Sequence, residues 1–181
     1  GLESKYYERL DKQSLEQTDG FKIFMFHSGI TEFKPTYLTE MDSIPISCFP
    51  KNFDYYAGGH IHERGKFNLP GYSNVIFPGA LFTGYGRDIE ASVKGEKRGF
   101  YLVSFDKEVE KTDFIEIKSF DGKYFEYDAK GKNSVQALKD IREKLDPLDV
   151  NDKVVVLKIR GELSGGKTSD INFTELKSNL H

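Results

Sequence analysis

A chain of 181 residues, 38% apolar and 14% aromatic, can bury a core; this excludes a disordered tail and leaves room for one domain, or one with a small companion. Its formal charge of −3 excludes a uniformly basic nucleic-acid binder but not a local basic strip. The lone Cys48 excludes an internal disulfide, and no apolar run nears the ~20 residues of a membrane helix.

The chain therefore reads as soluble and intracellular, in a reducing compartment. It opens on glycine in helix-like sequence with no signal peptide, so it reads as a piece of a longer protein.

Taken in order, the charged stretch 3–17 predicts a surface helix with Tyr6, Tyr7 and Leu10 as its apolar stripe. Asp19-Gly20 turns the chain into "FKIFMFH", short and apolar enough for a buried strand. From His27 to Phe53 runs a long, proline-containing connection, of a length that is usually functional or mobile. "FDYYAGG", "SNVIFPG" and "RGFYLVSFD" predict further strands, and "TDFIEIKSF" alternates like a half-buried one. Gly84, Gly86 and Arg87 read as a flexible loop.

After Lys118 the texture changes. "FDGKYFEYDA" predicts a hairpin about Asp121-Gly122. "SVQALKDIREKL" has helical spacing, with Ser134 as its N-cap and Pro147 as its stop. "KVVVLKIR" is a strand, and "NFTELKSNL" starts a last helix that the chain end cuts short. Together these predict a small α+β domain.

Chemistry gathers at the histidines. Of only four, His27, His60 and His62 stand at the ends of apolar strands, where ligands collect in open α/β sheets. In extended chain, His60 and His62 lie about 6.5 Å apart on one face, a spacing that suits one metal or a pair. The other reading is a glycine turn with two exposed histidines, and spacing alone does not choose between them. Three neutral imidazoles leave a dication's charge uncompensated. A two-metal hydrolytic site also needs a bridging carboxylate, yet no Asp-x-His, Gly-Asp or Gly-Asn-His cluster is present; acidic ligands are expected from sequence outside this chain. Such a pair of metals suggests phosphodiester hydrolysis. Arg87, Lys97 and Arg98 are candidate phosphate contacts, each read equally well as solvated surface charge.

A rival motif is "GELSGGKT", Gly161 to Thr168, which matches a phosphate-binding loop between a strand and a helix. It makes a nucleotide-binding module the alternative function. Only 13 residues follow Thr168, too few for a strand carrying an acidic magnesium ligand, so chance similarity is the preferred reading.

"FMFHSG", "FDYYAGGHIHERG", "VIFPGALFTGY" and "KRGFYLVSFD" resemble, in order, the second half of the Mre11/SbcD DNA double-strand-break repair nucleases, with the archaeal members most similar. These are calcineurin-like metallophosphoesterases. The resemblance implies an α+β chain: residues 1–118 as the second half of a four-layer α/β/β/α nuclease sandwich, and 119–181 as a DNA-binding capping domain truncated at its end. It implies a DNA exonuclease and endonuclease using two manganese ions. His27 and His60 would bind the second ion and His62 the first, while the catalytic histidine would lie upstream of residue 1. A Rad50/SbcC-type ABC ATPase, DNA and a second copy are the implied partners, in a prokaryotic cytoplasm at the nucleoid. The fragment alone is expected to be inactive; a non-catalytic piece that binds DNA or the ATPase is a third reading. Pro78-Gly79-Ala80 departs from the family's usual Pro-Gly-Ser.

Overall fold

A computed structural model describes residues 2–147 and 149–178 as a mixed α+β chain. It divides into two compact units: Gly1–Phe82 with Lys97–Ile117, and Thr83–Glu96 with Lys118–His181.

The first unit is built on a four-stranded sheet in the order β1-β2-β4-β3, from β1 (Ile23–His27), β2 (Tyr55–Gly59), β3 (Gly65–Leu69) and β4 (Tyr72–Phe77). The first three in that order run parallel, and β3 returns antiparallel to β4. Register divides the side chains by face. Phe26 lies beside Gly58 and Phe24 beside Tyr56, on the face where Val75 and Phe77 are also buried. Each such buried aromatic contributes about 1.5–3 kcal/mol. The Tyr56 hydroxyl is held in this core, donating to the Pro50 carbonyl at 2.8 Å and accepting from Phe53 N–H at 3.2 Å.

The connection from His27 to Phe53 contributes to the core. Ile30, Ile44, Ile46 and Phe49 are buried, and Ile30 bridges Ile44 through Thr31 N–H to the Ile44 carbonyl at 2.9 Å. The single predicted N-terminal helix is two, α1 (Leu2–Glu8) and α2 (Lys12–Glu16), because the Asp11 carboxylate caps a new start by accepting from Ser14 N–H. Tyr7 packs on Phe49 edge to face at 4.9 Å, while Tyr6 faces solvent. The hairpin β5 (Gly99–Phe105) and β6 (Val109–Glu116) forms a second, two-stranded sheet.

The second unit pairs β7 (Asp121–Asp128) with β8 (Lys153–Arg160) in parallel, joined through α4 (Ser134–Leu145). Ala137, Ile141 and Leu145, one helical turn apart, bury against Tyr127, Ile171 and Leu176, the last from α5 (Phe173–Ser178). No hairpin forms at Asp121-Gly122: both lie inside β7. Gly122 is glycine because a Cβ there would stand 2.5 Å from Val93 of α3 (Gly86–Val93). That helix takes up Gly86 and Arg87 of the expected loop, while Gly84 stays outside it. The α4 cap is Asn133 rather than Ser134, in a reciprocal box with Gln136. Residues 179 and 180 of the last predicted helix lie outside the described residues. No helix among the described residues is long and apolar enough to cross a membrane.

Candidate metal centre

Parallel pairing brings the carboxyl ends of β1 and β2 to one edge, with His27 directly beside Gly59. Gly59 leaves room for the imidazole: a Cβ there would lie 2.6 Å from His27 Nδ1. The preceding Gly58 serves the opposite face, where a Cβ would meet Phe77 and Phe26 at 2.7 and 2.8 Å. The chain then turns at His60, whose φ of 80° is a left-handed conformation that costs a non-glycine residue about 1–3 kcal/mol and gathers at functional sites. This turn sets the His60 ring at 84° to that of His27, with centres 5.5 Å apart and both residues exposed.

Two imidazoles that share an ion at about 2.1 Å from each nitrogen stand with their centres about 5 Å apart. The observed spacing of 5.5 Å is close to that, and imidazole suits manganese, iron and zinc alike. Ile61 is buried in the core, so His60 and His62 both point outward around it. Among the described residues, no group of three or more His, Cys, Asp or Glu side chains is close enough to hold a metal. The structure thus joins His27 to His60 and leaves His62 outside a compact three-ligand cluster.

A cleft of about 630 Å³ is lined by His27, Gly59, Met25, Ala57, Phe100 and Tyr101, and also by Tyr7 and Phe26. Tyr55 also lines it, and burial, with Tyr101 nearby, pushes its phenol above the ordinary range. Met25 is 78% exposed there.

The candidate basic contacts differ in setting. Arg87 is in the first turn of α3, in the second unit, and is exposed. Lys97 is exposed and paired with Glu116 at 2.7 Å. Arg98, expected at the surface, is only 5% exposed and donates from Nη1 to the His62 carbonyl at 2.9 Å. A contact to a main-chain carbonyl leaves no trace in the sequence, so nothing there pointed to it.

The Gly161–Thr168 stretch follows β8 but opens only the three-residue 3-10 turn Thr168–Asp170, not a helix that could present its amides to phosphate. The Lys167 amide is occupied by the Asp170 carboxylate at 2.6 Å, and Ser134 N–H donates to the Gly165 carbonyl at 3.0 Å.

No family model matches the chain. Three curated relatives named DNA double-strand break repair protein Mre11 are its homologues. That of Methanocaldococcus jannaschii is 34% identical over 140 residues, 67% of this chain and 36% of the relative. That of Sulfolobus acidocaldarius is 28% identical over 158 residues, covering 86% and 40%. That of Methanococcus maripaludis is 29% identical over 143 residues, covering 77% and 36%. The matched part of the chain thus spans 36–40% of each relative's length.

Proposed function

We propose, from this homology to archaeal Mre11, that the chain supplies part of the nuclease site of a DNA double-strand-break repair enzyme. The observation that carries the proposal is the His27–His60 pair, set at right angles on adjacent strand ends inside the stretch that resembles the family. In this reading residues 1–118 are the second half of the four-layer phosphoesterase sandwich, and 119–181 are the capping domain. The exposed apolar residues Ile23 and Met25 on β1 support it, since they suit packing against another layer.

His27 and His60 would hold one manganese ion and His62 the other; when bound, the ions neutralise charge on the phosphodiester and activate water. The chain's own contribution is orientation. Gly59 makes room for the His27 ring, the left-handed turn aims His60, and buried Ile61 anchors the loop between His60 and His62. Bridging carboxylate and catalytic histidine are assigned to the rest of the enzyme. DNA, a Rad50/SbcC-type ATPase and a second copy are the proposed partners, in the cytoplasm.

A chimera tests this: the matching segment of the Methanocaldococcus jannaschii Mre11 is replaced by this chain, and manganese-dependent degradation of labelled linear duplex is measured. The chimera should cleave, His27→Ala and His60→Ala should each abolish cleavage, and the 181-residue chain alone should be inert. A folded chimera that stays active after both substitutions would refute the assignment.

A further inference from the structure

The loop that carries His62 is gripped from beneath by a buried cation. Arg98 Nη1 donates to the His62 carbonyl at 2.9 Å, and Ala80 N–H donates to the same oxygen at 3.1 Å. Both lone pairs of that carbonyl are therefore engaged. Gly79, at φ 79°, permits the approach: a Cβ there would stand 2.9 Å from the same oxygen. The main chain of Arg98 is itself fixed, since its carbonyl accepts Ile117 N–H at 2.8 Å beside the β5–β6 ladder. Two more cations tie the loop and the start of β3 to this hairpin. Arg64 stacks over Phe114 at 4.2 Å, and Lys66 lies 5.6 Å from the Tyr101 ring while donating to the Thr112 hydroxyl.

Burying a guanidinium is costly, and an apolar side chain of similar volume would fill the space more cheaply. What the guanidinium adds is direction, because its planar fork fixes the atoms it bonds. We infer that Arg98 is a positioning residue for His62, locking the loop backbone so that the imidazole leaves it at one angle. This rests on reading His62 as a metal ligand. It also gives Ala80 a role that a serine side chain would not change, because the bond comes from the main-chain amide.

The test follows imidazole and amide signals of the isotope-labelled 181-residue chain by NMR during titration with zinc, a diamagnetic ion that imidazole also suits, alongside amide exchange and melting temperature. In the native chain, the His62 ring signals should shift on zinc binding. In Arg98→Met, the concentration needed to shift them should rise about tenfold, the usual scale for removing a support behind a ligand. Ala80 N–H should exchange faster, and His27 and His60 should respond as before. Arg98→Lys should fall between, and if Arg98→Met does not fold, this variant decides. A lowered melting temperature with the His62 response unchanged would make Arg98 merely structural and overturn the inference. A native His62 whose ring never shifts with zinc would instead fail the ligand reading, and the inference with it.

Discussion

Two adjacent glycines serve opposite faces of β2, so the same substitution in each should have opposite consequences. In Gly58→Ala the new methyl would lie 2.7 Å from Phe77 Cε1 and 2.8 Å from Phe26 Cζ. Those rings are buried and packed edge to face at 5.5 Å, with no room to withdraw. Overpacking of this kind costs about 1–3 kcal/mol. Replacing a glycine returns about 0.5–1 kcal/mol through the unfolded chain. Taking the middle of each range leaves a net loss of about 1 kcal/mol, which should lower the melting temperature of a unit this size by about 4–8 °C.

In Gly59→Ala the methyl would lie 2.6 Å from His27 Nδ1, a ring on an exposed residue that is free to turn. Displacing it costs about 0.5–1.5 kcal/mol, which the backbone gain nearly cancels. Stability should barely change, while the ring swings away from His60 and manganese binding weakens at least about tenfold. Calorimetric melting and manganese titration of both variants decide. A Gly59→Ala chain that binds manganese like the native one, or a Gly58→Ala chain that melts like it, would show that the faces are wrongly assigned.

Other expectations are independent of the metal. Asn133→Ala should cost the second unit about 1 kcal/mol in denaturant unfolding, and Ser134→Ala distinctly less, because Asn133 makes the cap. Hydrogen bonds from Lys94 and Lys158 hold the Glu90 carboxyl down to about 2. That lies below its unfolded value of about 4.3. Its stabilisation should be complete above that value and lost as pH falls towards about 2, a loss that Glu90→Gln should remove. Burial pushes the Tyr56 phenol up to about 12, above an unfolded value near 10, so stability should fall as pH rises between the two, and less steeply in Tyr56→Phe. Isothermal titration with ATP and magnesium should give no saturable heat; binding that disappears in Lys167→Ala would restore the phosphate-loop reading.

The strands were legible because apolar runs and alternation are local signals. "FKIFMFH", "FDYYAGG" and "KVVVLKIR" all became strands. The errors came where a distant residue sets the local choice. Asp121-Gly122 has the composition of a hairpin turn, but Gly122 answers to Val93, on a helix from a separate stretch of chain. The polar, proline-bearing segment after His27 looked like a loop because its core residues, Ile30, Ile44, Ile46 and Phe49, follow no single period. The break at Asp11 is a capping signal, Asp11 taking the Ser14 amide, that interrupts an otherwise helical spacing.

The candidate site divides along the same line. The strand ends and the family resemblance together point to His27 and His60 as neighbours, and the parallel pairing of β1 with β2 brings both to one edge. How they meet did not follow, because the double glycine conceals two unrelated demands, an aromatic core on one face and an imidazole on the other. Arg98 marks the limit of sequence reading. Its neighbours Lys94 and Lys97 are surface cations paired with Glu90 and Glu116, and by charge it belongs with them. Only the third dimension turns it inward onto the His62 carbonyl, an atom every residue carries and no side-chain pattern can reveal.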